Sequence, residues 1–188
     1  DPDPAHRDLV WKPILAAPIY RYSHTVVWTG NTGNSETAYR MIVWGGLNGG
    51  GGTDNTGAIY DPRNGVWALT PVSPAAIPGR AYFTSVWTGE TDNPATSHKM
   101  IVWGGNTPNG VTNSGGVYSP DTGLWEETGL VNAPSPRSGH TAVWTGATGN
   151  INTQYRLIVW GGSSSTPNTG AIYNYENDSW TTMALPPA

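Results

Sequence analysis

A chain of 188 residues is long enough for one well-packed domain, and nothing in its composition forces two. Charged residues make up only 12%, about half the usual share, while 25 Gly, 16 Pro, 10 Trp and 9 Tyr stand against a single Phe, a mixture that favours short strands joined by turns over helices. The lack of cysteine excludes disulfides, thiolate metal sites and cysteine nucleophiles, a formal net charge of −4 gives no electrostatic reason to seek nucleic acid, and no apolar run approaches the roughly 18 residues of a membrane span.

Asp1 to Arg7, with Pro2 and Pro4, reads as an extended leader; because the chain opens on Asp rather than Met, a removed or omitted preceding segment is expected. Asp8-Leu9-Val10-Trp11-Lys12-Pro13-Ile14 follows as a short strand. Arg21 to Gly30, rich in β-branched and aromatic residues and closed by Thr-Gly, is predicted as the first strand of a full unit. After a polar insert from Asn31 to Ala38 comes Met41-Ile42-Val43-Trp44-Gly45-Gly46. Four apolar residues without alternation suit a strand covered on both faces, and the glycine pair turns the backbone where a side chain would not fit. A glycine-rich loop leads to strand three, Gly57 to Pro62, and the turn Arg63-Asn64-Gly65 leads to strand four, Val66 to Leu69.

This order recurs twice. The phrase returns as Met100 to Gly105 and Leu157 to Gly162, so Trp44, Trp103 and Trp160 are spaced by 59 and 57 residues, as are Trp28, Trp87 and Trp144. Trp11, Trp67, Trp125 and Trp180 follow at 56, 58 and 55, and every tryptophan of the chain is then placed. A period of this length with four strands per unit predicts blades or an array. The divisions are a leader with a stray fourth strand (1–20) and three repeats (21–75, 76–132 and 133–188), all parts of one domain.

An apolar strand ending in Gly-Gly (Gly45-Gly46, Gly104-Gly105, Gly161-Gly162), a later Tyr and a Trp seven positions beyond it (Tyr60 with Trp67, Tyr118 with Trp125, Tyr173 with Trp180) together resemble the kelch repeat family in the form common in bacterial secreted proteins. The Arg-x-x-His-Thr opening at Arg21 and Arg137 is similar too, and the second unit departs from it with Phe83. The resemblance covers about residues 8 to 185 and implies an all-β propeller segment of three four-stranded antiparallel blades plus the extra N-terminal strand. The shared Trp, Tyr and Gly positions are then structural. Three blades do not close a ring, and none of the units has the polar character of a capping repeat. Further blades from a longer chain or from a second copy are therefore expected.

Six of the nine basic residues keep register: Arg21, Arg80 and Arg137 before strand one, and Arg40, Lys99 and Arg156 before strand two. One expectation is a repeated structural job such as bonding loop carbonyls. The kelch resemblance adds another, a ring of Arg21, Arg80 and Arg137 at a channel mouth that takes carboxylates or acidic peptides. His24 and His140, three residues further on, point to the opposite strand face and are expected to be buried and hydrogen-bonded. His6 and His98 lack a partner at metal-ligand spacing. The loops beginning at Asn48 and Asn106 complete the candidate ligand residues, and with Asp54 they offer weak support for calcium; otherwise no cofactor or metal is expected.

No paired carboxylates suited to acid-base chemistry emerge; Glu126-Glu127 reads as a solvated edge. The copper oxidases with kelch propellers use a tyrosine cross-linked to cysteine, a cofactor this chain cannot form. The inserts Asn31 to Ala38, Glu90 to Ser97 and Ala147 to Thr153 differ in sequence between matching flanks, where recognition can be encoded. The expectation is a non-catalytic, extracellular or cell-surface bacterial module that binds protein or glycan or builds a surface assembly. The alternatives are part of a carbohydrate-active enzyme similar to sialic-acid isomerases, and a subunit closing a six-bladed ring as a homodimer.

Overall fold

The computed structural model describes residues 20–183, so the leader, His6 and the strand around Trp11 lie outside the described residues. The first unit forms β1 (Arg21–Tyr22), β2 (Thr25–Trp28), β3 (Met41–Trp44), β4 (Leu47–Asn48), β5 (Gly57–Asp61) and β6 (Val66–Leu69). The second forms β7 (Thr84–Trp87), β8 (Met100–Trp103), β9 (Asn106–Thr107), β10 (Gly110–Val111), β11 (Gly115–Ser119) and β12 (Leu124–Glu127). The third forms β13 (Thr141–Trp144), β14 (Arg156–Trp160), β15 (Gly170–Asn174) and β16 (Ser179–Thr182). No helix occurs among the described residues, and the fold is all-β. Three four-stranded antiparallel sheets, β2-β3-β5-β6, β7-β8-β11-β12 and β13-β14-β15-β16, each follow chain order without a crossover.

Register explains the repeated aromatics. Across the first sheet Trp28, Met41, Tyr60 and Trp67 stand opposite one another in one row. The second sheet repeats the row as Trp87, Met100, Tyr118 and Trp125, and the third as Trp144, Leu157, Tyr173 and Trp180. In each, the Tyr and the last Trp sit with ring centroids 4.9 to 5.0 Å apart, so the seven-residue spacing is the hairpin that brings them together. Trp44, Trp103 and Trp160 lie an odd number of positions from this row and therefore project from the other face of their sheets.

The faces that carry Trp44 and Trp103 each pack on the aromatic-row face of the sheet that follows. Trp44 sets its ring edge-on to Phe83 at 5.4 Å and against Trp125 at 5.0 Å, joining the first sheet to the second. Trp103 repeats the contact with His140 at 5.1 Å and Trp180 at 5.0 Å, joining the second to the third. The two hydrophobic cores lie in these seams. The glycine pair makes the approach feasible: Gly104 holds φ at +68°, and a Cβ placed on it would fall 2.6 Å from His140 Cε1.

The expected first strand is not continuous. Ser23, Tyr82 and Gly139 occupy the same place in the repeat with φ of 53°, 57° and 64°, and this left-handed residue breaks the strand. In the first unit the detached piece, β1, pairs with β4 inside what the sequence presents as a loop. The break redirects backbone groups to the adjoining sheet: Tyr82 N–H donates to Ser23 C=O at 3.2 Å and Gly139 N–H to Tyr82 C=O at 2.8 Å. The first strands β2, β7 and β13 are accordingly the strands that approach most closely from sheet to sheet.

Candidate functional site

The inserts between strands one and two prove to be one device built three times. Each reads Thr-Gly-x-Thr-x-Asn-x-x-Thr, from Thr29, Thr88 and Thr145. The first Thr hydroxyl donates to the last Thr carbonyl at 2.7, 3.0 and 2.8 Å, and the second and last Thr hydroxyls meet at 2.8, 2.7 and 2.8 Å. The Asn side-chain oxygen accepts the amide two residues on, at Glu36, Ala95 and Asn152. The expectation that these segments simply differ is corrected: their frame is shared and only their tips diverge.

This frame also accounts for the basic residues before strand two. Arg40 donates to Ala38 C=O and Ser35 C=O, and Arg156 to the equivalent Gln154 and Ile151 carbonyls, so each guanidinium clamps its own insert. Arg40 is also ion-paired with Asp61 at 3.1 Å. Lys99, a point charge without a fork, reaches Ser119 Oγ at 3.2 Å instead.

What the frame presents to solvent is different in each copy: Ser35 and Glu36, then Pro94 and Ala95, then Ile151 and Asn152. The inserts are tied to the adjoining sheets. Asp121 in the second sheet's last hairpin accepts from Asn34 Nδ2 and Thr37 Oγ1, both at 2.9 Å. Asp92 of the second insert accepts from Tyr155 O–H at 3.0 Å and Gln154 Nε2 at 3.3 Å in the third. Beside this link a cleft of about 70 Å³ is lined by Asp92, Asn93, Trp144, Tyr155, Arg156, Tyr175 and Glu176. Its size suits a couple of waters rather than a substrate, a water's share of liquid being about 30 Å³. Burial, with Glu126 close by, pushes the Tyr175 hydroxyl up to about 12, so it is a neutral donor over ordinary pH.

The candidate ligand residues lie away from the inserts. Arg80 and Arg137 are fully buried, and their guanidiniums donate to Gly104 and Ser114 carbonyls and to Gly161 and Thr169 carbonyls. Arg21 makes the equivalent bonds to Gly45 and Thr56 and lies 3.8 Å from Asp54. Each arginine thus splices the glycine pair to the start of strand three. Burial lowers the Arg80 pKa to about 10, which leaves it charged at neutral pH.

Asn48 caps its glycine loop by accepting Gly50 and Gly52 amides. Asn106 pairs its backbone with Ala81, and its side-chain oxygen is buried without a partner among the described residues. Asp54 already accepts the Thr56 amide and hydroxyl. His140 is buried and shares a 2.8 Å bond with Thr84 Oγ1, but His24 is exposed, because no sheet of the described chain packs over it. Glu126 and Glu127 are exposed, and no three or more His, Asp or Glu side chains converge among the described residues. The Thr and Asn frame is the signal that sequence reasoning missed, and it becomes legible when the inserts are aligned on their Thr-Gly starts. In comparison with known proteins, no family model matches the chain and no curated protein matches it.

Proposed function

We propose that the three sheets are consecutive blades of a kelch-type β-propeller and that the protein is a non-catalytic extracellular module, recognising protein or glycan through its inserts. The propeller reading is supported by the in-register aromatic rows, by the closest approach falling at the first strands, and by hydrogen bonds that pass from each sheet to the next. One observation carries the functional reading: a fixed Thr and Asn frame displays exposed tips of unrelated chemistry. Rigid scaffolds with divergent loops concentrate recognition at those loops. The buried arginines of the opposite strand end have their donors on backbone carbonyls, so they support the scaffold.

The test is binding to an array of defined glycans and purified cell-surface proteins, with the native chain against one in which Ser35-Glu36, Pro94-Ala95 and Ile151-Asn152 are all Gly-Ser. Loss of a bound spot with an unchanged thermal transition is the expected result. Retained binding, or turnover of simple hexoses or sialic acids by the native chain, would overturn the reading.

A further inference from the structure

The two covered seams define a lock, and the third sheet carries one unfilled half of it. In each seam a strand-two Trp enters between a Tyr–Trp pair and the ring at the third position after the leading arginine, which is Phe83 or His140. The amide of the second glycine of the pair donates across the seam, Gly46 to Arg80 C=O and Gly105 to Arg137 C=O, both at 2.8 Å. The third sheet has the same parts facing outward. Trp160 meets no aromatic ring, and Gly162 N–H finds no backbone acceptor, among the described residues. Where a Cβ on Gly45 or Gly104 would strike the neighbouring ring at 2.8 or 2.6 Å, one on Gly161 would meet nothing nearer than Pro167 C=O at 4.0 Å. Val143 is 57% exposed, whereas its counterparts Val27 and Val86 are 7% and 8% exposed.

The first sheet carries the other half. Tyr60 and Trp67 are already set at 5.0 Å, as Tyr118 and Trp125 are in a filled seam, so the receiving pair is preformed. His24 stands exposed where Phe83 and His140 fill their seams, and Val26 and Trp28 on the same sheet are about half exposed. The one charged strand residue on these two outward faces, Arg156, is turned onto the Gln154 and Ile151 carbonyls of its own insert, and Val143, Ile158, Trp160 and Ile172 on one side answer Val26, Trp28, Tyr60 and Trp67 on the other.

We infer that the outward face of the third sheet docks the first sheet of a second copy of this chain, continuing the seam from molecule to molecule. Trp160 enters between His24 and the Tyr60–Trp67 pair of the second copy. Thr141 then meets His24 as Thr84 meets His140 within the chain. The contact is head to tail, so two copies related by a twofold close into one ring with two identical seams. This inference rests on reading the sheets as consecutive blades, and it is independent of what the insert tips bind.

The 188-residue chain is measured by sedimentation and light scattering over a roughly hundredfold range of concentration. The expected species is a dimer of twice 20.0 kDa. Val143→Glu, at a position solvated in the single chain, is expected to weaken association at least about thirtyfold with an unchanged thermal transition of the monomer. Trp160→Ala and Trp67→Ala are each expected to give monomers, while their mixture recovers dimer because one seam of the mixed ring keeps both tryptophans. A folded monomer at every concentration, an assembly that tolerates Val143→Glu, or a mixture that fails to recover would overturn the inference. Array binding by such a monomer would leave the insert reading standing, so the two fail separately.

Discussion

The seam between the first and second sheets and the seam between the second and third are built to one plan, yet one is closed by Phe83 and the other by His140. Both rings stand edge-on to a fully buried Trp, at interplanar angles of 85° and 81°. The difference lies in the threonine opposite. Thr84 Oγ1 has the His140 Nε2 atom at 2.8 Å, but Thr25 Oγ1, its counterpart in the first seam, is buried with no hydrogen-bond partner among the described residues. The repeat therefore keeps a hydroxyl suited to histidine in a place where phenylalanine cannot answer it. The first seam gains apolar area and forgoes a bond; the second gains the bond and with it a titratable group.

The largest expected effect falls on what the seams share. Trp103→Ala removes a wholly buried indole from the second seam and should lower stability by about 3–5 kcal/mol, read from urea unfolding. Trp160→Ala, measured on the single chain, should cost about 1–2 kcal/mol because its face is uncovered.

Acid separates the two seams next. Burial, and secondarily Arg137, lowers the His140 pKa from 6.5 to about 4. The unfolded chain then takes up its proton below about 6.5 while the folded chain resists until about 4. The stabilisation is fully present above pH 6.5 and is lost as pH falls toward 4, by about 3 kcal/mol in all. Comparing pH titrations of stability for the native chain and His140→Phe isolates this component, which should vanish in the variant.

Smaller effects refine the contrast. Thr84→Val should cost about 1 kcal/mol by stripping His140 of its bond, whereas Thr25→Val should be neutral or stabilising because it deletes an unpartnered hydroxyl. Phe83→His should leave stability at pH 8 within about 1 kcal/mol, the new bond to Thr25 offsetting lost apolar area, and should make the first seam acid-sensitive. If the variant shows no added acid dependence, the two seams are not equivalent in the way their geometry indicates. Smallest of all, Val143→Ala on the uncovered face should change the single chain's stability by less than about 0.5 kcal/mol.

The rows of Trp and Tyr are legible in the sequence because large, rare residues seldom keep a fixed spacing unless a packing arrangement repeats with them, and the strands they mark fall where that spacing puts them. The left-handed break in strand one is not legible. Three different residues, Ser23, Tyr82 and Gly139, hold it, and a tyrosine at φ 57° gives none of the usual glycine signal. The inserts hide their frame for a related reason: Thr and Asn are common loop residues, so three copies of a nine-residue pattern pass as unrelated polar sequence. The recurring arginines do announce a repeated job, but their carbonyl acceptors lie 24 to 35 residues away, beyond any local pattern. The burial of His140 and the exposure of His24 depend on whether another sheet lies over them, which neither local sequence contains.

The direction of the Trp lock has a consequence for how the chain is made. Trp44 and Trp103 are each covered by the sheet that follows them in sequence, not by the one before. On a ribosome the first sheet emerges with Trp44 bare and is completed only when Phe83 and Trp125 arrive, about 80 residues later at the furthest. Until the following sheet arrives, this aromatic face stays uncovered, a surface prone to association in the unfinished chain.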